Sequence, residues 1–423
     1  MVRVFFREIE VSWAEPLPRG VPLLIVANHV NSFVDPVLLL AVLGVRPRFL
    51  AKHTLWRHPV VGPLLVLAGA VPVYRRQDTT DMSRNFDTFA RCRRTLAAGG
   101  VVALFPEGVS HNQPRALPLK TGAARIAFEA EARNGPLGLR IVPVGLTYEA
   151  KDRFRSRVLL QVGRAIDPAG QLPQYAAEAR SAVRELTGRI AAALDELTLG
   201  YTSWDEARLT DLAAALLARN GYERPLSQIL ALRKGVIRGY RALEAEDPAR
   251  AAAIVYAVAR YDGYLQALAL SDADVHRAAH GPQRRAALRR LALPAAAVGT
   301  VLNWLPYRAV AWVAKRFTRT RDEPATYKVL TALIAFPLCW SAEVAAAAAL
   351  GGWRWAAFTL VLAPLTGWAA LAFHEARGWF FPGDRANRRG KSVSPGALVA
   401  LVAEREALQR ELLALADARM PPS

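Results

Sequence analysis

The sequence predicts an α/β domain with a largely parallel sheet flanked by helices, followed by an α-helical region and a C-terminal membrane helical hairpin. Three observations carry this prediction. Short β-rich runs alternate with helix-length segments over residues 1–170. A charge-rich stretch with helical periodicity follows over 171–282. Two apolar segments of spanning length then occur, at about 329–350 and 355–373. A last amphipathic helix is expected within 393–423, after a membrane-associated region at 283–392.

In the first unit, strands are expected at Pro22–Ala27, Val71–Tyr74, Val101–Phe105, Ile141–Thr147 and Val158–Val162. Helices are expected at Pro36–Val45, Arg84–Ala98 and Gly122–Ala132. The strands show little alternation, as expected where helices cover both faces of a sheet. Pro143, inside Ile141-Val-Pro-Val144, suggests an edge strand or a ligand-facing kink. The stretches near Asp167-Pro168 and Gly281-Pro282 read as boundaries.

The last third is membrane-like. Val329–Leu350 holds one acid, Glu343, and Trp355–Phe373 holds no charge. Gly351-Gly352-Trp353-Arg354 joins them tightly, so both outer ends fall on one side. Those ends are basic: residues 281–321 carry nine Lys or Arg and no acid, and Arg377, Arg385, Arg388, Arg389 and Lys391 follow the second segment. The positive-inside rule then places both flanks in the cytoplasm. Tryptophans gather between residues 304 and 379, several near the segment ends, as at a membrane interface. Pro294 and Pro306 interrupt another apolar stretch, Leu291–Ala314, which suggests an interfacial or re-entrant piece. The Leu stripe of 396–419 suggests packing onto the protein or the membrane.

Composition narrows the partners. Fifty-five Lys and Arg against 36 acids give a net charge of +19. That balance points to a polyanion. The apolar tracts favour anionic membrane lipids, and no nucleic-acid-binding signature competes, so no nucleic acid is expected. Two cysteines, Cys92 and Cys339, exclude a disulfide framework. The charged N-terminus does not read as a signal peptide. The expected location is the inner membrane, with the α/β domain facing the cytoplasm.

The candidate chemistry lies at strand ends. Asn28-His-Val-Asn-Ser-Phe-Val-Asp-Pro36 follows an apolar strand, so His29 sits at a sheet mouth. A carboxylate one turn into the next helix, Asp35, can orient the imidazole and leave its other nitrogen to accept a proton. Helix capping is the rival reading, with Asp35 as N-cap before Pro36 or Ser32 as N-cap with Asp35 at N3. Gly69-Ala-Val-Pro-Val-Tyr-Arg-Arg76 ends a strand in Arg75 and Arg76, whose guanidinium groups suit phosphate. Phe105-Pro-Glu-Gly108 turns at another strand end and brings Glu107 to the same mouth. Lys120 precedes a helix N-terminus and can neutralise phosphate. Asp272, Asp274, His276 and His280 have metal-like spacing but read as a solvated helix face, so no metal is expected. Ser110-His111 lacks a Gly-x-Ser-x-Gly elbow.

In this order, the blocks resemble the glycerophospholipid acyltransferase family, which includes glycerol-3-phosphate and 1-acylglycerol-3-phosphate (lysophosphatidate) acyltransferases. The matching blocks are His29/Asp35, Gly69 to Arg75, Phe105–Gly108 and Ile141–Val144, within about residues 5–165. Five residues separate His29 and Asp35 where the family pattern has four, and the wording looks like a bacterial and fungal glycerol-3-phosphate acyltransferase-like branch. The resemblance implies a glycerolipid acyltransferase-like fold and acyl transfer from acyl-CoA or acyl carrier protein to a hydroxyl of glycerol-3-phosphate or lysophosphatidate. His29 and Asp35 would be catalytic; Arg75, Arg76, Glu107, Gly108 and Lys120 would bind substrate; no cofactor would be needed. A non-catalytic lipid-binding scaffold and a lysophospholipid-remodelling transacylase are the competing expectations.

Overall fold

The computed structural model describes residues 2–75, 83–218, 224–280, 293–376 and 393–419. Arg76, the boundary at 281–282 and the basic residues from Arg377 to Lys391 lie outside the described residues. In chain order, helix α1 (Val2–Phe5) leads to strands β1 (Glu8–Trp13) and β2 (Leu23–Ala27), helix α2 (Val34–Val42), β3 (Arg48–Lys52), α3 (Val61–Leu67), β4 (Val71–Val73), α4 (Asn85–Ala97), β5 (Val101–Leu104), α5 (Gly122–Asn134), β6 (Arg140–Tyr148) and β7 (Arg157–Val162). The strands form one seven-stranded sheet in the order β1-β7-β6-β2-β5-β3-β4. Every pairing is parallel except β6–β7.

β2 is the central strand, and all five of its side chains are buried. Its period-2 geometry splits them between two cores. Leu23, Ile25 and Ala27 join a cluster with Leu38 and Leu39 of α2. Leu24 and Val26 join another with Cys92 and Leu96 of α4, Ile126 and Phe128 of α5 and Val102 of β5. A strand covered on both faces needs apolar residues at every position, which is why β2 reads as an unbroken run.

Two strands escape the sequence reading. β1 carries Glu8, Glu10 and Ser12 because it is an edge strand paired only to β7, and β3 begins at Arg48 and ends at Lys52. Polar and charged residues at such positions hide the strand signal. The edge expected at Pro143 is also corrected. β6 lies inside the sheet, between β7 and β2. The antiparallel ladder to β7 starts one residue later, at Val144↔Val162. Pro143 therefore sits at the ladder's end, where its carbonyl accepts from Gly163 N at 2.9 Å.

Helices follow: α6 (Leu172–Ala177), α7 (Ala179–Leu197), α8 (Trp204–Leu217), α9 (Leu226–Glu246), α10 (Pro248–Ala267) and α11 (Asp272–His280). α7 buries Ala182, Leu186, Ile190 and Leu194 against the sheet's second core. α8 and α10 have side-chain caps, Ser203 accepting from Glu206 N and Asp247 from Arg250 N. The final helix, Pro395–Arg419, packs Leu401, Leu408 and Leu412 onto α8 and α10, so it lies on the protein. A buried ion pair pins it, with Arg405 Nε 2.9 Å from Asp272 Oδ1. Tyr261 also donates to Asp272. The solvated face expected around Asp272 is thus a buried contact.

The helices Pro324–Gly351 and Trp353–Ala376 are long and apolar enough to cross a membrane. Gly352, at φ 76°, makes the reversal between them. Leu338, Leu350, Phe358, Leu360 and Trp368 lie exposed along them, a pattern that suits lipid better than water. The stretch from 293 forms two helices, Leu293–Leu302 and Trp304–Phe317. Pro294 and Pro306 fall in their first turns, where a missing N–H breaks no helical bond. Gly299 crosses the second long helix so closely that a β-carbon there would lie 1.9 Å from Thr366 O. Small residues permit such backbone approach between apolar helices.

Candidate active site

β2 ends at Ala27, and Asn28 closes it with its side chain. Asn28 Nδ2 donates to Leu146 O at 3.0 Å, and Leu146 N donates back to Asn28 Oδ1 at 2.7 Å. The ladder to β6 is therefore completed while the main chain turns away. His29 lands at the carboxyl end of the central strand, where open α/β sheets bind ligands.

His29 Nδ1 lies 2.8 Å from Asp35 Oδ2. Asp35 is fully buried and His29 is partly exposed. Val30 N and Asn31 N donate to the same oxygen at 2.9 and 2.8 Å. The Tyr148 hydroxyl donates to Oδ1. Burial, then the charge of Asp35, push that hydroxyl well above its ordinary pKa, so it remains a donor. An acceptor at Nδ1 places the ring hydrogen there and leaves Nε2 with a free lone pair. Neither capping alternative describes the pair: Phe33 occupies the N-cap of α2 with no side-chain cap bond, and Asp35 lies inside the first turn.

β5 pairs with β2, so the turn after β5 emerges beside His29. The Phe105 ring stacks on His29 at 4.0 Å. Glu107 is buried, and His111 Nε2 lies 2.5 Å from its Oε2. His111 Nδ1 accepts from Gln113 N at 3.1 Å, which puts the ring hydrogen on Nε2, the nitrogen beside the carboxylate. His111 N in turn donates to His29 O at 3.2 Å. Ser110 faces Ser32 rather than forming a dyad with His111.

Arg75 follows the edge strand β4 and reaches back, its Nη1 donating to Gly108 O at 3.0 Å. Gly108 has φ 76°, and a β-carbon there would lie 2.5 Å from Lys120 Nζ. Lys120 N donates to Pro106 O at 2.8 Å, fixing the chain just ahead of α5. Arg75, Gly108 and Lys120 thus converge, two cations on one turn.

Three participants carry no local sequence signal. Tyr148 lies 113 residues from Asp35. Lys151 Nζ donates to Val30 O at 2.7 Å. Burial lowers the Lys151 pKa, with Asp322 and Asp35 opposing. Asp322 Oδ2 accepts from Ser32 Oγ at 2.8 Å across 290 residues.

Residues 8–147 match the acyltransferase family model. The chain is 25% identical over 327 residues to an uncharacterized acyltransferase of Schizosaccharomyces pombe, covering 57% of this chain and 48% of that protein. It is 31% identical over 165 residues to glycerol-3-phosphate O-acyltransferase 2 of Saccharomyces cerevisiae, covering 39% of this chain and 22% of that one. It is 32% identical over 142 residues to a chloroplastic 1-acyl-sn-glycerol-3-phosphate acyltransferase of Brassica napus, covering 33% and 38%. The chain thus spans about half or less of the length of these relatives. The four blocks read from the sequence all fall inside the matched region, so residues 8–147 are similar to an acyltransferase domain, and the yeast and plant relatives that match over it bear glycerolipid acyltransferase names.

Proposed function

We propose that this protein is a membrane-bound O-acyltransferase that moves a fatty acyl chain from acyl-CoA or acyl carrier protein to a hydroxyl of glycerol-3-phosphate or 1-acylglycerol-3-phosphate. The observation that carries the reading is the 2.8 Å contact between His29 Nδ1 and the fully buried Asp35, at the carboxyl end of a parallel sheet. His29 Nε2 removes the acceptor hydroxyl's proton. The alkoxide oxygen attacks the thioester carbonyl, the tetrahedral adduct expels the thiolate, and His29 returns the proton to sulfur. Asp35 holds the tautomer and stabilises the imidazolium. Such a base typically contributes about 10²–10⁴-fold. Arg75 and Lys120 bind the acceptor phosphate, with Arg76 the neighbouring cation in sequence. Glu107 and Gly108 shape the turn on which those cations meet. The step as written uses no metal and no cofactor.

The apolar hairpin anchors the enzyme in the inner membrane with the α/β domain in the cytoplasm. The names of the yeast and plant relatives support the acceptor class, and the net charge of +19 suits an anionic lipid surface. The test is acyl transfer by membranes carrying the protein, with labelled acyl-CoA and acyl carrier protein compared on a panel of acceptors and products identified by mass spectrometry. His29→Ala at normal expression should lose most turnover. Saturable lysolipid binding without turnover for either donor would instead make it a scaffold.

A further inference from the structure

The long helix Pro324–Gly351 extends beyond its apolar segment toward the α/β domain, and its entry meets the loop between His29 and Asp35. Ser32, in the middle of that loop, has φ 37°. A non-glycine residue in this region needs its surroundings to hold it. Ser110 Oγ accepts from Ser32 N at 3.0 Å and lies 3.2 Å from Ser32 Oγ. Asp322 Oδ2 accepts from Ser32 Oγ at 2.8 Å. The next amide, Phe33 N, sits at the uncapped start of α2 and donates to Thr326 Oγ1 at 3.3 Å.

The loop is therefore held in two halves. Asp35 gathers Val30 N and Asn31 N. Asp322 and Thr326, from a segment nearly 300 residues away, hold Ser32 and Phe33. Burial favours the neutral Asp322 carboxyl, but hydrogen bonds from Ser32, Thr320 and Ser110 outweigh it and hold the group below its ordinary value. It is thus a charged acceptor, and such bonds are the stronger kind. Packing supports the contact: Ala325 and Val329 are buried in the same cluster as Val34, Leu38 and Leu39 of α2. The hairpin's other end is tied as well, with Arg155 Nη2 2.7 Å from Glu375 Oε2.

We propose that Asp322 is a positioning residue for acyl transfer: by holding Ser32 it fixes the His29–Asp35 loop, so the site is complete only when the base of the apolar hairpin is seated on the α/β domain. The inference rests on the acyltransferase reading of His29. Asp322 touches no reacting atom in it. Its role is to keep Nε2 aimed where the acceptor hydroxyl arrives.

The test uses the full chain in vesicles of phosphatidylethanolamine and phosphatidylglycerol, with Asp322→Ala, Asp322→Asn, Ser32→Ala and the Asp322→Ala/Ser32→Ala double variant. Hydrogen exchange of the peptide spanning His29–Asp35 gives a readout that needs no turnover. Asp322→Ala should raise exchange at Ser32 and Phe33 about 10-fold, as local opening becomes easier. It should lower kcat about 10–100-fold while KM stays within about threefold, the mark of misplacement rather than lost binding. Asp322→Asn keeps an acceptor for the Ser32 hydroxyl and should recover most of kcat. The double variant should lose less than the sum of the two single losses, since both substitutions remove the Ser32–Asp322 hydrogen bond. Unchanged exchange in Asp322→Ala, or losses that add in the double variant, would overturn the proposal. A wild-type chain inactive with every donor and acceptor would instead refute the acyltransferase reading, with the exchange comparison still deciding whether Asp322 holds the loop.

Discussion

Tyr148 donates its hydroxyl hydrogen to Asp35 on the carboxylate oxygen that His29 does not use. The buried carboxylate thus has four donors: two backbone amides and His29 on one oxygen, and Tyr148 on the other. Removing the phenol oxygen leaves Oδ1 buried without its partner, a loss of about 1–3 kcal/mol. Tyr148→Phe is expected to lower the thermal unfolding midpoint and to reduce kcat, because Asp35 is freer to turn from the imidazole. Differential scanning fluorimetry and saturating turnover check both. A variant matching wild type in each would show that Tyr148 only fills space.

The cations on the Phe105–Gly108 turn predict a binding phenotype. Lys120→Ala should raise KM for a phosphate-bearing acceptor about 10-fold, near the 1.4 kcal/mol expected of a charge-assisted contact in a part-open site. Its effect on kcat should be smaller. Gly108→Ala adds a β-carbon at φ 76°, against Lys120 Nζ. The strain of roughly 1–2 kcal/mol adds to the displaced lysine, so KM should rise at least as far. Initial rates against acceptor concentration separate the two parameters. A pure kcat loss in Lys120→Ala would place the phosphate elsewhere.

Cys92 should be chemically silent. It is fully buried on α4, and burial raises its thiol pKa to about 12. At pH 8 the reactive thiolate is then on the order of one part in 10⁴. Iodoacetamide should leave Cys92 unmodified in the native chain and alkylate it after denaturation, as read by peptide mass spectrometry. Native labelling would mean that α4 opens away from the sheet.

The seat of the hairpin should be insensitive to pH across the working range. Asp322 has a lowered pKa in the folded chain. A carboxyl lowered on folding contributes stability above its unfolded value, near 3.9, and loses it only as pH falls through the still lower folded value. Exchange at Ser32 and Phe33, corrected for intrinsic rates, should therefore stay constant from about pH 8 to pH 5. Loosening at pH 6 would point to another titrating group.

Local patterns announced the centre of the fold and tertiary partners did not. β2 was legible because it is apolar at every position, and His29 because a strand stops where it begins. β1 and β3 were hidden by Glu8, Glu10, Arg48 and Lys52, charges that an edge or a strand end tolerates. Pro143 misled because proline usually marks an edge, whereas here the ladder simply starts one residue later. The convergence of Arg75, Gly108 and Lys120 follows from neighbouring strand ends, which an alternating β and α order already implies. Tyr148, Lys151 and Asp322 could not be read, because nothing in their neighbours encodes a partner more than a hundred residues away.

The strand order has a consequence for how the chain is made. Only β3–β4 and β6–β7 join strands that follow one another in sequence. β2 must wait for β5 and β6, and β1 pairs only with β7, Glu8 meeting Arg157. At about 5–20 residues per second, the Leu-Leu-Ile-Val-Ala run of β2 lacks at least one of its two neighbours for on the order of ten seconds of synthesis, until β6 exists. Such non-local parallel pairing folds slowly and exposes apolar strands in the interval. The nascent chain therefore needs shelter from aggregation before it needs a membrane, and fragments ending before residue 157 leave β1 with no strand to join.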